Sequence, residues 1–277
     1  MTEWLSNKTV VITGGSSGMG HATALKLLAV GATVHIIDIQ PLASGHQPYP
    51  QSGKLYTHIP VDITSRDQVR RAFQEIDKVS PDIYGVVNAA GAAPEDDQGR
   101  LIESDAVFHK TFSINALGCY HVTTEFLTRV RDRNDPAAPD AAVKETKYNI
   151  VTLGSSAALV GFPQCCTYTG AKHAVLGFTR TWSLDWAPYG VRSNMVAPGA
   201  TNTPLARVQM PDNNEQSKDD VYGQQDRGAI MDMARLKVPL KRWGEADELA
   251  DGIIFLLSEK SSYITGQVLP VNGGWPP

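Results

Sequence analysis

Short, wholly apolar runs alternate along this chain with longer stretches that are apolar on one face. Residues 8–13 (Lys-Thr-Val-Val-Ile-Thr) are β-branched and continuous, as in a strand buried on both faces. A glycine-rich turn follows, and 21–29 reads as a helix stopped by Gly31. The run 32–38 repeats the buried-strand pattern, and 54–61 does so more weakly. Ser65 and Gln68 have the spacing of a capping box that opens a helix to about Lys78. The pattern then predicts strands at 84–88, 149–153, 191–196 and 268–271, and helices at 108–131, 168–186 and 245–257. In the last helix Leu249, Ile253, Leu256 and Leu257 share a face. Such alternation implies an α/β fold: one doubly wound parallel sheet with helices on both faces. Ligands of such sheets bind beyond the carboxyl ends of the strands.

Composition narrows the function. The chain has 277 residues, 42% of them apolar and 19% charged, which suits a soluble globular protein. Its 25 basic and 29 acidic residues give a net charge of −4, with no basic surplus for a nucleic-acid partner. Cys119, Cys165 and Cys166 exclude a disulfide framework, and neither they nor the seven histidines have metal-ligand spacing. No apolar run approaches the ~20 residues of a membrane span, and the start lacks a signal-peptide pattern. A cytoplasmic protein is expected, built as a single domain over 1–277. Two stretches lack strong periodicity. We read 132–147, with its two prolines, as a surface insertion, and 203–240 as a substrate lid that orders on ligand binding.

Gly14, Gly18 and Gly20 lie between the first strand and its helix, in the spacing T-G-x-x-x-G-x-G. Gly14 allows a tight turn, Gly18 a close approach to a pyrophosphate, and Gly20 a close helix. With Ser16, Ser17 and Met19 they form a phosphate cradle at a helix N-terminus. Asp38 ends the second strand, 18 residues after Gly20. A carboxylate there accepts from the ribose hydroxyls and repels a 2′-phosphate. Ser17 and Ile39 supply no cation for such a phosphate, so NAD is expected in preference to NADP. Asp62 can accept from the adenine amino group with Ile63 against the ring, or serve simply as an N-terminal charge for the next helix. Asn88, Ala89 and Gly91 are small enough to bring backbone near the adenosine ribose, or to pack tightly. Pro198, Gly199, Thr201 and Thr203 form a turn that can also hold the nicotinamide carboxamide.

Tyr168 and Lys172 stand at i and i+4, on one face of a helix. Taken alone this pair is common on solvated helices. Ser155, however, ends the preceding strand 13 residues earlier and can converge on the same cleft. A nearby ammonium favours the phenolate, so Tyr168 can move a proton while Ser155 holds the reacting oxygen. Ser155 is preferred to its neighbour Ser156 by its spacing to Tyr168. Asn115, a mediocre helix former inside the predicted helix 108–131, is a candidate to bind a water linking Lys172 to solvent.

Together these motifs, with Tyr263-Ile-Thr-Gly-Gln-Val-Leu-Pro-Val-Asn-Gly-Gly274 near the end, resemble the short-chain dehydrogenase/reductase family from about Lys8 to Gly274. The resemblance implies a seven-stranded Rossmann-type sheet. It implies nicotinamide-dependent oxidation or reduction at a carbon bearing oxygen. It also implies an Asn115-Ser155-Tyr168-Lys172 tetrad, with Lys172 also gripping the nicotinamide ribose, and a homotetramer or homodimer. The stretch between Ser155 and Tyr168 should line the substrate cavity through Ala157, Leu159, Val160, Phe162, Gln164, Cys165 and Cys166. These residues are mostly apolar and suit a small hydrophobic alcohol or ketone of alicyclic, terpenoid or steroid-like type. Two other readings keep the fold: isomerisation or cyclisation through a transient ketone on bound NAD, and a non-catalytic NAD-binding scaffold.

Overall fold

A computed structural model of the chain describes residues 3–42, 49–94, 101–133, 147–205 and 238–275. Seven parallel strands run β3-β2-β1-β4-β5-β6-β9 across the sheet. They are β1 (Thr9–Thr13), β2 (Thr33–Ile37), β3 (Lys54–His58), β4 (Ile83–Asn88), β5 (Tyr148–Leu153), β6 (Val191–Pro198) and β9 (Val268–Val271). The chain winds outward from β1 to β3, then restarts on the other side of β1 at β4. That reversal opens the crevice between the ends of β1 and β4 where such sheets bind ligands.

The helices are α1 (Gly18–Ala29), α2 (Arg66–Val79), α3 (Asp105–Phe112), α4 (Cys119–Arg133), α5 (Cys166–Asp185) and α6 (Ala246–Leu257). The period-2 alternation of each strand divides the interior into two layers. Val10 and Ile12 face one side, with Leu27 and Leu28 of α1 and Leu249 and Ile253 of α6. Val11 faces the other, with Phe73 and Ile76 of α2, Phe126 of α4 and Val175 of α5. Every residue of β1 and β6 is buried; β1 reads as a near-continuous apolar run, whereas β6 also buries Arg192, Ser193 and Asn194.

The predicted helix 108–131 is not one helix. Between α3 and α4 the chain runs as a π-helical segment, Ser113–Gly118, and Asn115 lies inside it. Such one-turn insertions recur at functional sites because they re-aim a side chain. α1 begins at Gly18 and α5 at Cys166, each earlier than the periodicity indicates. A short parallel pair, β7 (Thr201–Asn202) with β8 (Gly244–Glu245), has no counterpart in the sequence reading. It pairs the segments that flank 203–240. Most of that lid, 206–237, and most of the predicted insertion, 134–146, lie outside the described residues. Among the described residues no helix is long and apolar enough to cross a membrane, and no cluster of metal-ligating side chains occurs.

Candidate active site

The glycines after β1 are spaced for backbone contact. Gly14 has φ +66°, and a Cβ there would fall 2.7 Å from the Ala90 backbone. A Cβ at Gly20 would fall 2.3 Å from the Gly14 carbonyl oxygen, so Gly20 lets α1 start directly on its own loop. Gly18 also has positive φ, +55°, but its Cβ position is roomier, with Thr203 nearest at 3.6 Å. The first turns of α2 and α3 are closed by Ser65 and Ser104, whose hydroxyls accept from Gln68 N and Val107 N. The N-cap of α1, Ser17, makes no such bond. Its first-turn N–H groups therefore have no side-chain cap from Ser17 and are available to an anion. A pyrophosphate fits this cradle on two counts, the close-packed glycines and the uncapped helix.

Asp38 follows β2. Its Oδ2 accepts from Ser16 N at 2.9 Å and its Oδ1 from Gln40 N at 3.0 Å, while Ser16 Oγ donates to the Gln40 carbonyl. The carboxylate thus clamps the glycine loop to the end of β2, and each oxygen keeps acceptor capacity for ribose hydroxyls. Asp62 Oδ1 accepts from Thr64 N at 2.8 Å, shaping the turn before α2. Ile63, expected against the adenine, is instead 7% exposed and packed on Gly118, because only glycine leaves room beneath the π-helical segment. Asn88 is buried and donates to Thr123 Oγ1. Ala89 packs with the α1/α6 layer, and Ala90 N donates to Thr13 Oγ1.

Gly91, expected near the ribose, faces the candidate catalytic groups. A Cβ on it would fall 2.9 Å from Asn115 Oδ1 and 3.5 Å from Lys172 Nζ. Asn115 is largely committed within the protein. Its Nδ2 donates to the carbonyls of Ala92 (2.6 Å) and Thr111 (2.9 Å), and its Oδ1 accepts from Ala92 N at 3.3 Å. The side chain therefore fixes the loop after β4, with its Oδ1 and Lys172 Nζ both beside Gly91. Lys172 is 5% exposed; its Nζ donates to the Leu153 carbonyl and lies 5.5 Å from the centre of the Tyr168 ring. Cys119 is buried near this ammonium, and burial pushes its thiol up to about 11.

Tyr168 and Ser155 line one cavity of about 310 Å³. Met19, Pro198, Gly199, Thr201 and Thr203 also line it. Thr201 Oγ1 donates to the Gly199 carbonyl at 3.0 Å, holding that turn. Of the expected substrate-side residues, Ala157, Phe162, Gln164 and Cys165 line the wall. Leu159, Val160 and Cys166 do not. The 3-10 turn Ser156–Ala158 turns Leu159 toward the core, and Cys166 begins α5 in an exposed position. Four wall residues come from segments the sequence reading did not connect to the site: Glu103, Val107, Trp243 and Trp275. Trp275 stacks on Phe162, ring centres 6.1 Å apart. An aromatic near a chain end carries no local signal of that contact.

The structure separates the two serines. Ser156 is 4% exposed and donates to the Pro198 carbonyl at 3.1 Å. Ser155 is more open and accepts from Ala157 N at 3.1 Å, leaving its proton to donate into the cavity. Ser155→Ala is expected to lower kcat/KM about 10²-fold, as loss of one preorganised donor does. Ser156→Ala should stay within severalfold and show its effect in thermal stability. Steady-state kinetics of the two variants checks this; a more damaging Ser156→Ala would reverse the assignment.

The sequence model of the family described as enoyl-(acyl carrier protein) reductase matches residues 14–276. The chain is 31% identical over 271 residues to 2,5-dichloro-2,5-cyclohexadiene-1,4-diol dehydrogenase of Sphingobium indicum, covering 98% of each chain. Its fold is similar to the crystal structure of levodione reductase, with a TM-score of 0.80, 27% identity and 97% of each chain covered. It is also similar to ElxO with NADP bound, with a TM-score of 0.77 and 27% identity over 97% of this chain and 98% of that one.

Proposed function

The chain belongs to the short-chain dehydrogenase/reductase family of oxidoreductases, and from that premise we propose an NAD-preferring enzyme that interconverts a small alicyclic secondary alcohol and its ketone. The observation that carries this reading is Ser155 and Tyr168 on the wall of one cavity, with Lys172 buried behind the tyrosine. NAD would be held by the Gly14–Gly20 loop at the pyrophosphate, Asp38 at the adenosine ribose, Lys172 at the nicotinamide ribose and Thr201 and Thr203 at the carboxamide. When bound, it supplies a hydride acceptor or donor.

The chain's own residues do the rest. The Ser155 hydroxyl donates to the substrate oxygen and fixes it near Tyr168. The Tyr168 oxygen, as phenolate, takes the alcohol proton in oxidation and, as phenol, returns it in reduction. The Lys172 ammonium, anchored on the Leu153 carbonyl, favours the phenolate through its charge. Asn115 holds the Ala92 loop that closes this space. The apolar wall of Val107, Phe162, Trp243 and Trp275 excludes water and favours a ring of carbon. A relative named for a cyclohexadiene-1,4-diol supports the alicyclic class. A homotetramer or homodimer belongs to the same proposal.

Asp38 is the basis for NAD over NADP, since a second anion beside it costs several kcal/mol, or more than about 10²-fold in binding. Wild-type kcat/KM should favour NAD by about that factor. Asp38→Asn, which removes the charge and keeps one acceptor, should narrow the ratio at least about tenfold. Parallel kinetics with the two nucleotides checks this, and a wild type that uses NADP equally well contradicts it.

A further inference from the structure

The cavity wall is apolar except at a few places, and one of them carries a formal charge. Glu103 lies in the segment before α3, far in sequence from the candidate catalytic residues, yet it lines the same cavity as Ser155 and Tyr168. Its Oε2 accepts from Thr167 N at 2.7 Å and its Oε1 from Thr167 Oγ1 at 2.8 Å. Thr167 is the second residue of α5, a 20-residue helix whose N-cap, Cys165, makes no side-chain cap bond. Glu103 therefore caps α5 from outside, and its negative charge sits at the positive end of that helix. The two bonds also fix the carboxylate's orientation, one residue from Tyr168.

A cap of this kind needs only one acceptor and no access to a ligand. Glu103 supplies two oxygens, each of which accepts one bond from Thr167 and retains a lone pair. The same cavity is lined by Val107, Phe162, Trp243 and Trp275, which offer a substrate no other charge. A ligand group meeting this carboxylate must donate a hydrogen bond. A second carboxylate or phosphate would be repelled, and a plain hydrocarbon edge would leave the charge without its hydration.

From this, and resting on the alcohol–ketone reading above, we infer that Glu103 is a specificity-determining residue that accepts a second hydroxyl of the substrate. The preferred substrate class is then a cyclic diol or hydroxyketone: one oxygen reacts between Ser155 and Tyr168, and the other donates to Glu103. A site built to bond a hydroxyl discriminates strongly against the analogue that lacks it, because its polar group is left unpaired.

The test compares cyclohexanol with 1,2-, 1,3- and 1,4-cyclohexanediol as substrates of the full-length protein with NAD, in wild type and Glu103→Gln. The glutamine keeps the shape and one acceptor for Thr167 but loses the charge. At least one diol should exceed cyclohexanol in kcat/KM by about tenfold or more, as a hydrogen bond to a charged group does. Glu103→Gln should remove most of that advantage through KM while cyclohexanol stays within about threefold. A thermal midpoint measured alongside reports any loosening of α5. If cyclohexanol is oxidised as well as every diol, or if Glu103→Gln lowers all four substrates by the same factor, the inference is overturned and the function stands. If none of the four yields NADH, the proposed function fails and takes this inference with it.

Discussion

Tyr168→Phe is expected to lower kcat by about 10² to 10⁴-fold, the range that a positioned acid–base group contributes, and to leave nucleotide binding within about threefold. The substitution removes one hydroxyl and keeps the ring. Tyr168 is partly buried at the start of α5, with Lys172 Nζ 5.5 Å from its ring centre, and phenylalanine can occupy the same space. Asp38 and Thr201 are held by bonds of their own, to Ser16 N, Gln40 N and the Gly199 carbonyl. Loss of turnover with retained binding therefore reports the proton-transfer step and not the fold. Nucleotide affinity comes from fluorescence titration with NADH, and turnover from steady-state assays on the same preparation. A Tyr168→Phe enzyme that still turns over at a wild-type rate removes the tyrosine from the chemistry.

The second large effect is expected at Gly20. A Cβ there would fall 2.3 Å from the Gly14 carbonyl oxygen and 2.9 Å from its carbon. Neither side can give way easily. Gly14 holds positive φ, with the Ala90 backbone 2.7 Å from its own Cβ position, and α1 is tied at Lys26 to Asp247 and Asp251 of α6. Gly20→Ala must displace the loop or lift the start of α1, and both spoil the cradle. We expect nucleotide affinity to fall at least about 10²-fold, with a loss of stability of about 1–3 kcal/mol as for other overpacked sites. Titration of NADH and thermal unfolding measure the two. Unchanged affinity in Gly20→Ala would show that the loop is not the phosphate site.

Most of the sheet was legible because its strands are buried on both faces, and a run such as Val10-Val11-Ile12 has few other readings. The cofactor end was legible for a different reason. Glycine spacing, a strand-end Asp38 and the Tyr168/Lys172 pair are local signals whose meaning comes from the strand or helix beside them. What stayed hidden depends on contacts between distant segments. Glu103 precedes the N-cap of α3, and nothing near it announces that it caps α5 through Thr167. The π-helical turn around Asn115 leaves the apolar periodicity of 108–131 almost intact, so one straight helix was the natural reading. A short apolar loop such as the one holding Leu159 and Val160 has no period from which to tell its cavity side from its core side. The packing of Ile63 on Gly118 depends on a glycine 55 positions away, which no signal near Ile63 announces.

The central claim is that Ser155, Tyr168 and Lys172 serve net hydride exchange between a cyclic secondary alcohol and NAD. Its most direct test is product stoichiometry on the full-length protein: near-ultraviolet absorbance for NADH and chromatography for the ketone, with cyclic secondary alcohols at alkaline pH and NAD or NADP. The account predicts one ketone for each NADH formed, with NAD strongly preferred. An altered carbon skeleton without net NADH, or no reaction with any alcohol despite measured NAD binding, would contradict it.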